Sequence, residues 1–282
     1  MAWTTPGRGR GLIDVLNQRY LLGLIVKKEL RVRYHGSVLG MAWSYLKPLT
    51  QFLVYFVALG LFLGLGRGMI ESYPIYLFSG LVVINYFSEV MTNATRTLVW
   101  NAPLIKKIYL PREMFPVASI WVAFVHFVPQ VIVLIGGALF YSWRPTPLGL
   151  VCILAGFTLT TTVALGLGLI FGAVNVYFRD AENFVELILL VATWASPVLY
   201  PLAAVRDILP RWLFLLYELN PVTVSVELFH FGFWAPAAGA PDTTDVTNLA
   251  GLTLVAFVIS VVILLIGQFV FKRLEGRFAQ EL

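Results

Sequence analysis

The chain has 282 residues, of which 59% belong to the hydrophobic set and only 12% are charged, against roughly 25% charged in soluble domains. With 23 glycines, 15 prolines, 21 phenylalanines, 12 tyrosines and 8 tryptophans besides, a water-facing surface would expose large apolar patches, which excludes a soluble globule and places the chain in a bilayer. A single cysteine, Cys152, excludes an intrachain disulfide framework, and three scattered histidines, His35, His126 and His230, offer no metal-ligand spacing.

In chain order, residues 11–33 carry no proline. Leu22, Val26 and Leu30 repeat at i,i+4 beside a polar row holding Lys27 and Arg31. This segment is too charged to cross and reads as an amphipathic interfacial helix within a cytoplasmic N-terminus, residues 1–42. Apolar stretches of spanning length, about 20 residues, follow at 44–66, 73–93, 115–141, 148–175, 183–202 and 248–271, six spans within a permease domain over residues 43–271. Two shorter apolar pieces lie within 203–247, Trp212 to Leu219 and Val222 to Trp234, divided by Asn220-Pro221. That pair reads as a helix stop, an N-cap and a proline at the first helical position, so an external re-entrant helical pair is expected rather than a seventh span. A tail, 272–282, closes the chain.

Charge orients the whole. The segments before the first span, after the second and fourth, and after the last hold fifteen of the 20 Lys and Arg, with Lys47 just inside the same face. Arg67, Arg144, Arg206 and Arg211 lie opposite. The positive-inside rule makes both termini cytoplasmic. The formal net charge of +5 is membrane anchoring of this kind and implies no nucleic acid.

No GxxxxGK[ST] phosphate loop occurs, so the chain cannot hydrolyse ATP alone, and no cofactor motif is present. The glycine groups, among them Gly166, Gly168 and Gly172, read as close helix packing. Glu89 and Glu186 fall near span ends and His126 near a span middle, a thin basis for an ion relay. Thr92 to Trp100 reads as a short helix across the membrane face, carrying Asn93, Thr95, Arg96 and Thr97 and ended by Asn101-Ala102-Pro103, a handle for a soluble subunit. Arg179 and Asp180 sit in a tight turn, where the pair could clamp the turn and Asp180 cap the next helix. Pro197 and Pro201 flank Tyr200 at the outer end of the fifth span, where a gate could be built.

Four stretches, KELRVRYHGSVLG with Trp43 and Pro48, PLIKKIYLPRE with Pro116, NVYFRD, and SPVLYP with Asn220-Pro221, together with the tail FKRLEGRFAQEL, resemble the membrane-spanning subunits of type-2 ABC exporters. The branch is that moving O-antigen polysaccharides, teichoic acids and related lipid-linked glycans. The resemblance implies a homodimer in the bacterial inner membrane bound to two copies of a separate ATPase, which would hold the ATP and magnesium. It implies that residues 93–104 form a coupling helix docked on that ATPase, that the substrate is a glycan on undecaprenyl diphosphate, and that 203–247 is an outer gate. Lys28, Arg31, Arg33 and Arg112 at the lipid boundary could attract the diphosphate. The near alternative is an exporter of a small hydrophobic drug or another lipid. A membrane glycosyltransferase would need placed carboxylates, for which Asp242 and Asp245 are a thin basis.

Overall fold

The structure, a computed structural model, describes residues 11–66, 70–107, 110–239 and 249–282. Arg8, Arg10, Arg67, Asp242 and Asp245 lie outside the described residues, as does the part of the 203–247 region from 240 on. The described chain is helical throughout, with no strand. Five helices are long and apolar enough to cross a membrane: α3 (Gly40–Phe62), α4 (Tyr73–Trp100), α6 (Met114–Phe140), α7 (Pro147–Tyr177) and α12 (Leu249–Glu275). The shorter ones are α1 (Leu12–Asn17), α2 (Arg19–Tyr34), α5 (Ala102–Lys107), α8 (Ala181–Trp194), α9 (Leu202–Ile208), α10 (Arg211–Glu218), α11 (Pro221–Phe229) and α13 (Phe278–Glu281). Five of the six expected spans are thus present within a few residues of their expected limits.

The expected span at 183–202 differs. Its helix, α8, has 14 residues, about 21 Å at 1.5 Å per residue and short of the roughly 30 Å apolar thickness. Ser196-Pro197 is the cause, because a proline pushes the preceding residue out of helical geometry. The chain turns at 195–200, and the Tyr200 hydroxyl caps the helix by donating to the Trp194 carbonyl. The interfacial segment differs too, being broken at Gln18 (φ −109°, ψ 46°) into α1 and α2 rather than running unbroken from 11 to 33.

The centre of the bundle is α4, buried along most of its length and packed against α6 and α7, while α7 packs in turn along α12. The glycines of α7 set these approaches. A methyl added at Gly267 on α12 would stand 2.3 Å from the Gly166 carbonyl oxygen, and one at Gly172 would stand 2.7 Å from that of Ala94. Only bare backbone fits at those crossings.

Two short helices, α10 and α11, meet at Asn220-Pro221. Asn220 caps α11 by accepting from the Val222 N–H at 3.1 Å, and Pro221 occupies its first turn. From there the helix continues through a π turn, His230–Trp234, to Ala237, and residues 221–230 are all buried against α7, α4 and α12.

Candidate functional site

Polar residues of three of the membrane-length helices, α3, α4 and α6, fall at helical spacing and meet in one place. On α4, Asn85, Ser88, Glu89, Thr92 and Asn93 make a stripe at i, i+3, i+4, i+7 and i+8; Ser44, Lys47 and Gln51 do so on α3, and His126 and Gln130 on α6. With Arg33, Tyr34 and Trp43 these stripes line a cavity of about 740 Å³. A second cavity, about 240 Å³, lies next to it between α2 and the ends of α4 and α6, lined among others by Glu29, Trp100 and Ser119. Arg33 and Asn93 belong to both walls and stand between the two.

Arg33 is the knot of this site. Its Nη1 donates to Glu89 Oε1, and its Nη2 donates to Asn93 Oδ1 at 2.8 Å. The same carboxylate accepts from His126 Nδ1 at 2.5 Å. With that proton on Nδ1, Nε2 accepts from the Tyr34 hydroxyl at 2.6 Å, and Ser44 Oγ lies 2.7 Å from Tyr34 Oη. Four segments are tied by one network: the end of α2, the start of α3, and the middles of α4 and α6.

The other candidate cations sit elsewhere. Lys28 Nζ donates to Asn101 Oδ1 at 2.5 Å, and Asn101 Nδ2 donates to Glu29 Oε1 at 3.0 Å, so this pair staples α2 to the end of α4. Arg31 is exposed on α2. Arg112 turns away from the cavities, donating to the Glu275 carbonyl and lying over the Phe278 ring at 5.6 Å. Only Arg33 of the four reaches the cavity, and Lys47 joins it there.

The 93–104 handle needs correction as a structural unit. Thr92 to Trp100 is not a separate helix; α4 runs unbroken through it, because its apolar face continues to Leu98 and stays in the core. Thr95, Thr97 and Asn101 are buried and hold backbone: Thr95 Oγ1 donates to the Met91 carbonyl, and Asn101 Nδ2 to that of Thr97. The separate short helix is α5, with Pro103, Lys106 and Lys107 exposed.

Arg179 and Asp180 do not form the expected clamp. Both are exposed in the turn, no hydrogen bond or ion pair joins them among the described residues, and Asp180 makes no side-chain cap. The clamp is made by Arg96, which donates to Glu182 at 3.0 Å and Glu186 at 2.7 Å, with Asn175 Nδ2 donating to the Thr95 carbonyl and to Glu182, each at 3.0 Å.

At the opposite end, the turn holding Pro197, Tyr200 and Pro201 is pinned rather than free. Tyr76 Oη donates to the Pro197 and Tyr200 carbonyls at 2.8 and 2.9 Å, and Tyr73 Oη to that of Leu199 at 3.2 Å. His230 of α11 stacks on Tyr76 at 3.9 Å, and its Nδ1 lies 3.3 Å from Glu227 Oε1. Sequence reasoning missed Glu89, His126, Tyr73 and Tyr76 as members of sites. The stripe on α4 was the available signal for the first; the tyrosines gave none, since their partners are backbone carbonyls distant in sequence.

With this geometry in hand, the sequence matches the ABC-2 type transporter family over residues 20–234. It is 28% identical over 267 residues to the O-antigen export system permease protein RfbA of Klebsiella pneumoniae, covering 92% of this chain and 94% of that one. To the RfbA of Myxococcus xanthus it is 29% identical, covering 95% and 98%. It is 25% identical to the polysialic acid transport protein KpsM of Escherichia coli, covering 75% and 80%. A helical bundle with five membrane-length helices and a family match across three quarters of its length make this chain a member of the ABC-2 type transporter family.

Proposed function

We propose that the chain is the permease subunit of an ATP-driven exporter of a lipid-linked cell-envelope polysaccharide. The observation that carries this reading is end-to-end similarity to two permeases named for O-antigen export, each covered over at least 94% of its length. The cavity is compatible with it, its walls combining amides, hydroxyls and the Arg33–Glu89 ion pair with Trp43 and Pro48; an exporter of a small hydrophobic drug or another lipid is the second reading.

In this reading two copies of the chain pair in the bacterial inner membrane with both termini cytoplasmic, and two copies of a separate ABC subunit bind ATP and magnesium. The sixth crossing would be completed by α8 together with the pinned turn at 195–200. The α10–α11 pair would dip back from the outer face over the exit, where the Asn220-Pro221 break is tolerated because α4, α7 and α12 cover it. The exposed face of α5 would meet the ATPase. Undecaprenyl-diphosphate-linked glycan would approach from the cytoplasmic lipid boundary, drawn by exposed Arg31 and neighbouring cations. Depleting the chain should make lipid-linked glycan accumulate on the inner side while surface polysaccharide disappears. Normal surface polysaccharide with a new sensitivity to hydrophobic drugs would favour the second reading instead.

A further inference from the structure

The wall of the larger cavity has an unusual chemistry for a membrane interior. Its charges cancel where they are deepest, since Arg33 is matched by Glu89. Beside Lys47 and its apolar parts, the wall carries neutral hydrogen-bonding groups: Asn85, Thr92 and Asn93 from α4, Gln51 from α3, and Gln130 from α6. Part of this capacity is unspent. Gln130 Nε2 donates to the His126 carbonyl at 3.1 Å, but Asn85 Nδ2 reaches Gln130 Oε1 only at 3.4 Å, and Asn93 uses its Oδ1 on Arg33 while its buried Nδ2 has no partner among the described residues. A buried amide without a partner is costly, so side chains of this kind mark a place where something polar binds. Half-exposed Trp43 stands at the mouth beside Lys47, presenting an aromatic face there.

We infer that this cavity is a saccharide subsite within a single subunit, taking one or a few rings of the glycan. The inference rests on the glycan-export reading above. Sugar hydroxyls both donate and accept, which matches carboxamides; the apolar face of a pyranose suits an indole ring. The volume, about 740 Å³, falls inside the roughly 300–1,000 Å³ usual for ligand pockets. A diphosphate fits less well, because the Arg33 donors already serve Glu89 and Asn93, leaving Lys47 as the one lining cation with no partner among the described residues. Arg33 is therefore a positioning residue here: it holds Asn93 and closes the wall towards the smaller cavity.

The test uses the chain purified with its ATPase in nanodiscs. The probes are short saccharide fragments cut from the cells' own surface polysaccharide and, separately, inorganic diphosphate, with binding read by saturation-transfer NMR. The fragments should bind, and Asn85→Leu and Gln130→Leu should each weaken them about tenfold, the size expected for one lost hydrogen-bonding partner. Asn85→Ser, which keeps a hydroxyl, should lose less; co-purification with the ATPase shows that each variant is assembled. Fragment affinity unchanged in both leucine variants, or binding of diphosphate alone, would overturn the subsite. The exporter reading stands or falls separately, on whether surface polysaccharide disappears when the chain is depleted.

Discussion

Glu89 is the residue on which the cavity network turns, because one carboxylate accepts from both Arg33 and His126. Its side chain is 21% exposed and that of Arg33 34%, so water screens the pair only partly. Replacing Glu89 by leucine leaves a guanidinium and an imidazole N–H without their acceptor, and breaking a partly buried, partly screened pair from one side costs about 1–2 kcal/mol. Glu89→Leu should therefore lower the melting temperature of the detergent-purified protein, while Arg33→Met combined with Glu89→Leu should recover most of the loss. Equal melting of the single variant and the parent would show that the ion pair holds nothing. A similar economy governs Tyr76, whose one O–H serves two carbonyls of the turn at 195–200; Pro197 and Tyr200 are held there through their backbone carbonyls, which no side-chain pattern announces.

Among the elements, α5 and α8 carry the mechanical argument. α8 is tied to α4 at both ends, by Arg96 to Glu182 and Glu186 and by the Tyr76 hydroxyl to the turn that follows it. In the proposed reading, movement imposed on α5, which follows α4 after one residue, would pass to the turn at 195–200 through packed helices rather than through a loop. Replacing Ala102–Lys107 by a glycine-serine linker of equal length should leave the ATPase able to bind nucleotide but abolish transport-coupled stimulation, as measured by ATP hydrolysis in nanodiscs with lipid-linked glycan. Stimulation equal to that of the parent would remove α5 from the coupling path.

This level also shows what was legible beforehand. Long apolar stretches gave five membrane-length helices, and Asn220-Pro221 gave the start of α11, because both signals are local. The shortness of α8 was readable in Ser196-Pro197, but an apolar count runs through the proline, and the helix does not. The continuation of α4 to Trp100 was hidden because Asn93, Thr95 and Thr97 look like a surface helix, whereas Thr95 and Thr97 are buried by α7, α2 and α6 arriving from elsewhere in the chain. The cavity was hidden for the same reason: each polar stripe is an ordinary helix face until three of them are set opposite one another.

For the whole molecule, the bundle separates its tasks by level. The basic end holds α1, α2, α5 and the tail helix α13, whose buried Phe278 packs on Phe271 and under Arg112. The polar cavity opens among α2, α3, α4 and α6, and the far end is covered by α10 and α11. The faces of α3, α8 and α12 remain broadly apolar and exposed, as suits lipid or a second copy. In the proposed reading such a layout would give a polar cargo a lined route through an apolar medium, and the sequence holds no GxxxxGK[ST] loop to drive that passage itself. The most direct test is glycan translocation in inside-out membrane vesicles containing the chain and its ATPase, read as protection of the lipid-linked glycan from an added glycosidase. Protection should develop with ATP and magnesium, and should be absent without nucleotide or when this chain is omitted. Protection that proceeds equally without ATP, or without this chain, would contradict its role as the permease of an ATP-driven polysaccharide exporter.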